Sequence, residues 1–202
     1  MILKVHPENP APRHLKQIIE TIKQGGVIII PTDSVYAIAC DIYNTKAYER
    51  ILQLKGIKKK EANFSFLFYD LSQLSEFTLP FSNSCFKAIK KSLPGPFTFI
   101  LKANNKVPNI FQNKKKTIGI RIPNNLIVTE IVNELGTPLM TTSLKGDDEL
   151  LEYMTDPELI HEKYEKLVDL VIDGGYGDLT PSTVVSCVEN NIEIIRQGKG
   201  EI

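Results

Sequence analysis

Between the double glycine Gly25-Gly26 and Pro31 the chain runs through four consecutive apolar residues, Val27-Ile28-Ile29-Ile30, and then turns polar at Thr32-Asp33-Ser34. A short apolar run between breakers reads as a strand covered on both faces. Polar groups just past the carboxyl end of such a strand stand where open α/β sheets bind ligands, although Asp and Ser also cap turns of their own backbone. The preceding segment has a different period. Leu15, Ile18, Ile19 and Ile22 follow the i, i+3, i+4, i+7 pattern, so a helix closed by Gly25-Gly26 feeds the strand.

The same alternation continues downstream. Asn44 or Thr45 caps a helix with Ala47, Tyr48, Ile51 and Leu52 inward, ending at Lys55-Gly56, and residues 64–69 follow as a strand. Asn83 starts a helix with Phe86, Ile89 and Leu93 inward; Pro94-Gly95-Pro96 breaks it before a strand over 97–102. Residues 117–122 form a strand that contains Arg121. Asn124 or Asn125 caps a helix carrying Ile127, Val128, Ile131 and Leu135, closed by Gly136, and Pro138-Leu139-Met140-Thr141 returns to the sheet. Asp156-Pro157 opens a helix reaching to about Leu167, with a strand over 168–172 beyond it. Residues 182–187 and 192–196 read as a hairpin turning at Asn190-Asn191. Helix-linked and hairpin-linked strands together predict a mixed parallel and antiparallel α/β sheet with flanking helices. With no internal repeat and no low-complexity linker, residues 1–202 are expected to form one domain.

Composition narrows the classes. Of 202 residues 42% are apolar and 24% charged, ordinary globular usage, and 24 basic residues balance 24 acidic ones. That balance argues against a dedicated nucleic-acid binder and leaves any attraction for phosphate to the placement of lysines. Cys40, Cys85 and Cys187 lack CxxC spacing, which reads as buried reduced thiols, and His6, His14 and His161 show no metal-ligand pairing. No apolar run approaches the roughly 20 residues that span a bilayer, and no signal peptide precedes the first helix, so the expectation is a cytoplasmic protein without a membrane partner.

Hydroxyls, glycines and arginines recur at the strand ends. Thr32, Asp33, Ser34 and Tyr36 follow the first strand; Thr141-Thr142-Ser143, Gly174-Gly175, Ser182-Thr183, Arg196 and Gly198 mark others. Arg121, alone in an apolar strand, needs a core-edge carboxylate or a ligand. Hydroxyl clusters after strands often only cap. Several converging on one sheet point to a site.

The ordered set Pro31-Thr32-Asp33-Ser34-Val35-Tyr36, Lys55, Pro94-Gly95-Pro96-Phe97-Thr98, Gly119-Ile120-Arg121-Ile122-Pro123, Thr141-Thr142-Ser143 and Pro181-Ser182-Thr183-Val184-Val185 resembles the YrdC-like family of threonylcarbamoyl-AMP synthases, from about Val27 to Gly198. Thr117-Ile118-Gly119-Ile120-Arg121 and the strand Phe97-Thr98-Phe99-Ile100-Leu101 look closest to its YciO branch. The resemblance implies the YrdC-like fold, a twisted mixed sheet around a large, positively lined cleft. It also implies condensation of L-threonine, bicarbonate and ATP to threonylcarbamoyl-AMP and pyrophosphate, for modification of a tRNA adenosine, with Mg²⁺ accompanying ATP. By similarity, Thr32, Tyr36, Arg121, Thr141 and Ser182 would face threonine. Lys55, Thr117, Ser143 and Arg196 would face ATP, with Lys55 and Arg121 carrying the catalysis.

The chain departs from the family's pattern on the ATP side. The lysine-x-arginine signature reads Lys55-Gly56-Ile57, so Lys58 or Lys59 would supply the missing charge, and the serine-alanine-asparagine triplet reads Ser143-Leu144-Lys145. Lys58-Lys59-Lys60 and Lys114-Lys115-Lys116 are either solvated surface or a hold for phosphate, including tRNA or double-stranded RNA. Two classes follow: an adenylating synthase, or a non-catalytic or weakly active nucleotide- or RNA-binding protein of the same fold. A serine or cysteine hydrolase ranks third, because no histidine accompanies Ser143, Ser182 or a cysteine in a recognisable motif.

Overall fold

Side-chain alternation along the strands decides which face of the sheet each helix covers. The computed structural model describes residues 1–58, 64–111, 116–144, 154–189 and 191–201. Its elements run β1 (Ile2–Lys4), α1 (Pro12–Lys23), β2 (Ile28–Ile30), β3 (Ala37–Asp41), α2 (Thr45–Lys55), β4 (Ser65–Leu67), α3 (Leu71–Phe77) and α4 (Asn83–Ser92). Then come β5 (Phe97–Lys102), β6 (Thr117–Arg121), α5 (Leu126–Leu135), β7 (Leu139–Ser143), α6 (Pro157–Tyr164), β8 (Leu170–Asp173), β9 (Thr183–Ser186) and β10 (Glu193–Arg196). The strands form one mixed sheet in the order β1-β8-β2-β3-β7-β4-β6-β5-β9-β10. The pairs β1–β8, β2–β8, β4–β6 and β5–β9 are parallel and the rest antiparallel, which makes a single α/β domain.

One face of this sheet presents Ile29, Ile38, Phe66, Phe99, Met140 and Val185 to α2, α3, α4 and α6, through Tyr48, Ile51, Leu74, Phe77, Ile89 and Ile160. The other face presents Ile28, Ile30, Ala37, Ala39, Leu67, Leu139 and Leu170 to α1 and α5, through Leu15, Ile18, Ile22, Ile127 and Ile131. That second apolar layer takes no residue from β5, β6 or β9. By the period of two, the positions left on the same side there are Thr98, Ile100 and Lys102 on β5, Thr117, Gly119 and Arg121 on β6, and Val184 and Ser186 on β9, with Ser182 just before it. Among the described residues the sheet therefore has one half-face outside the helix-packed apolar layer, and apart from Ile100 and Val184 it carries hydroxyls, Gly119, Lys102 and Arg121.

Local chemistry set most boundaries. Asn44 Oδ1 accepts the Ala47 N–H at 2.9 Å to start α2, and Gly56 ends it in the left-handed region at φ 62°. Asn125, not Asn124, caps α5. β9 and β10 pair antiparallel as the expected hairpin, with a bulge between Ile194 and Arg196; Asn190 lies outside the described residues. Three elements had no clear signature. β3 is buried on both faces and shows no alternation, β1 is a three-residue edge strand, and α3 spans only seven residues behind an Asp70 cap. The α6 helix stops at Tyr164, short of the expected Leu167, which is exposed.

The cysteines are free and buried, and burial pushes the Cys40 thiol up to about 12. Among the described residues no helix is long and apolar enough to cross a membrane.

Ile18 lies at the centre of the α1 contact, with no exposed surface. Ile18→Ala is expected to lower the unfolding free energy by about 2–5 kcal/mol, lost transfer energy plus a cavity. Urea denaturation checks this; a loss under about 1 kcal/mol would mean that α1 is not seated as described.

Candidate functional site

Arg121 closes β6 on the uncovered half-face, and an arginine there must find an anion. Its Nη2 donates to Asp33 Oδ1 at 2.7 Å and to Ser34 Oγ at 3.0 Å, while Asp33 Oδ2 accepts the Asn124 N–H at 2.8 Å. Both side chains are at most 9% exposed. Three strands separate β2 from β6 in the sheet. In a flat sheet the two strands would stand roughly 19 Å apart, so the contact requires a coiled sheet and a β2–β3 loop that leans over its face. Burial lowers the Arg121 pKa, Asp33 opposes that, and repulsion by Arg196 lowers it further. The Arg121 Nε is buried and makes no hydrogen bond among the described residues. One edge of the guanidinium thus keeps a donor in reserve.

The loop that supplies Asp33 is shaped by its own hydroxyls. Thr32 Oγ1 donates to Val35 O at 2.8 Å and accepts the Ser34 N–H at 3.1 Å, a local turn that aims Asp33 inward. Tyr36 lies deeper. Its hydroxyl donates to Gly175 O at 2.7 Å and its ring lies where a Gly177 Cβ would fall, so it braces the 174–177 loop from beneath. Burial raises the phenol well above its usual pKa, so it stays protonated at neutral pH.

An open cleft of about 610 Å³ lies over these loops, lined by Thr32, Asp33, Thr155, Asp178, Thr180 and Lys199 among others. That volume suits a small molecule. Lys199 Nζ donates to Asp33 O at 2.9 Å and pairs with Asp178 Oδ2 at 2.7 Å, which joins the segment after β10 to both other loops. Lys199 carried no sequence signal, since its partners lie in distant loops.

The expected site residues fall into small groups. Ser182 Oγ and Thr98 Oγ1 share a hydrogen bond at 2.8 Å, and Arg196 Nη2 donates to Ser182 O at 2.8 Å. Thr141 Oγ1 donates to Ser65 O at 3.1 Å and is buried. Gly119 keeps the face open between them, because a Cβ there would meet Thr98 Cγ2 at 3.1 Å. Lys55, at the end of α2, donates to Ser143 O at 3.1 Å, which brings together two residues expected at ATP. Thr117 opens β6 and is buried. Lys59 and Lys145 lie outside the described residues, as do Lys60, Lys114 and Lys115. Among the described residues no group of three or more His, Cys, Asp or Glu could hold a metal ion.

The family model for Sua5, YciO and YrdC proteins, described as telomere recombination, matches residues 20–198. Uncharacterized protein YciO of Escherichia coli is 40% identical over 200 residues, covering 98% of this chain and 95% of its own length. A putative threonylcarbamoyl-AMP synthase of Methanocaldococcus jannaschii is 32% identical over 204 residues, 98% of this chain and 92% of the relative. The crystal structure of E. coli YciO matches with a TM-score of 0.90 at 38% identity, covering 100% of this chain and 97% of that one. P. abyssi Sua5 complexed with L-threonine shares the fold, with a TM-score of 0.86 at 21% identity over 98% of this chain and 57% of its own.

Tyr36→Phe removes the donor to Gly175 O but keeps the ring. It is expected to cost about 1–2 kcal/mol of stability and to loosen the 174–177 loop, read as faster amide exchange there than in wild type. Unchanged stability and exchange would remove Tyr36 from its bracing role.

Proposed function

The chain belongs to the Sua5, YciO and YrdC family, and from that premise we propose that it condenses L-threonine, bicarbonate and ATP to threonylcarbamoyl-AMP and pyrophosphate. The observation that carries this reading is the buried guanidinium of Arg121, paired on Nη2 with Asp33 while its Nε has no partner among the described residues, on a half-face rich in hydroxyls. An α-amino acid carboxylate suits that remaining donor, since a planar fork prefers a carboxylate. The name of the archaeal relative and the threonine held by the Sua5 structure support threonine as the amino acid.

The chemistry asks little covalent work of side chains. The threonine amine bonds to the carbon of bicarbonate with loss of water, a carboxylate oxygen of the resulting N-carboxythreonine attacks the α-phosphorus of ATP, the bond to the bridging oxygen of the β-phosphate breaks, and pyrophosphate leaves. Positioning and charge neutralisation dominate such a step. Arg121 holds the threonine carboxylate, and Thr32, Thr141 and Ser182 line its approach, with Tyr36 fixing the wall behind. Lys55, Ser143, Thr117 and Arg196 face the nucleotide, with Lys55 and Arg196 drawing in the triphosphate, and Lys58 or Lys59 takes the place of the absent arginine at Ile57. The two cleft aspartates are engaged by Arg121 and Lys199. Mg²⁺ is therefore read as entering with the triphosphate, not as held by a protein site. The product would serve modification of a tRNA adenosine.

A second reading rests on Ile57, where the missing arginine favours a nucleotide- or RNA-binding protein with weak or no catalysis. One assay separates the two. Labelled bicarbonate is expected to enter an acid-labile adenylate only with both threonine and ATP present, releasing pyrophosphate in step. Arg121→Lys keeps a charge opposite Asp33 but loses the fork, so threonine binding should weaken by about 1–3 kcal/mol while ATP affinity holds. No threonine-dependent incorporation would favour the binding protein. Weakened ATP with spared threonine would move Arg121 to the phosphate site.

A further inference from the structure

Lys199 is the one cation among the described residues that line the cleft. Its backbone is held independently of its side chain, whose ammonium donates to Asp33 O at 2.9 Å and pairs with Asp178. The Lys199 N–H donates to Pro181 O at 2.9 Å, and the neighbours Gly198 and Gly200 are tied to Thr183 Oγ1 at 2.9 and 2.6 Å. The ammonium, by contrast, stands at the end of a flexible stem and rests on Asp178, both side chains being more than a third exposed. Pairs of this kind contribute little net stability. Nor does the 174–180 loop depend on the pair for its shape, since Asp178 Oδ1 accepts the Thr180 N–H at 2.8 Å and the Asp178 N–H donates to Ser34 O at 3.2 Å.

We infer that Lys199 is an exchangeable cation of the cleft, which leaves Asp178 for a phosphate oxygen of the nucleotide. This rests on the reading of the cleft as an ATP site. Arg121 is committed through Asp33 to the carboxylate side, whereas a compact ammonium with no geometric preference suits a phosphate. A phosphate group offers more negative charge than one half-exposed carboxylate, so the exchange runs toward the ligand. Asp178 is then a competitor for Lys199, not part of the ligand's hold.

That competition gives the two partners opposite effects. Calorimetric titration with ATP should show Lys199→Met weakening affinity about tenfold, and Asp178→Asn, which keeps the Thr180 cap, tightening it about threefold. L-threonine affinity should stay at the wild-type value in both. Weaker ATP binding in both variants would make the pair a structural latch, and equal affinity in all three proteins would remove Lys199 from the nucleotide; either overturns the inference and leaves the synthase reading standing. If the unaltered protein binds no ATP, both readings fall together.

Discussion

A guanidinium as buried as that of Arg121 persists only against an anion, and Asp33 supplies one from a loop that a flat sheet would hold far away. The pair therefore does more than neutralise charge. It fixes the β2–β3 loop over the polar half-face, and through the Asp33 carbonyl and Asn124 N–H it engages the segment after β10 and the start of α5 as well. Removing either partner would leave the other buried without its counter-charge.

The half-face itself follows from where the chain places its helices. Among the described residues only α1 and α5 pack on that side, against β2, β3, β4, β7 and β8. On β5, β6 and β9 the same side carries mainly hydroxyls, Gly119 and Arg121; Thr98 bonds to Ser182 across strands, and Arg121 reaches Asp33. The polar half-face is thus a consequence of two-fold alternation with one layer left out, and the open cleft adjoins it through Asp33, which lines the cleft and pairs with Arg121.

Much of this was legible in the chain. Caps at Asn44, Gly56, Asn125, Gly136 and Asp156 act through neighbours a few positions away, so they announce themselves locally. β3 did not, because a strand buried on both faces continues the apolar run after Tyr36 without a period. Within the site, the ordered motifs pointed to Arg121, Ser182 and Arg196, yet the partnership of Arg121 with Asp33 spans 88 positions and that of Lys199 with Asp33 spans 166. No local spacing encodes contacts of that range. The fate of Tyr36 was hidden for the same reason, since Gly174, Gly175 and Gly177 close on it only in three dimensions.

If the Asp33–Arg121 pair organises the site, the two residues must be energetically coupled and not merely adjacent. A double-mutant cycle of Asp33→Asn, Arg121→Met and the double variant, read by urea unfolding, measures that coupling directly. Each single substitution should cost about 3–5 kcal/mol, and the double variant should cost less than their sum by at least about 2 kcal/mol. Additive losses, within about 0.5 kcal/mol, would contradict the account and leave the loop held by its backbone contacts alone.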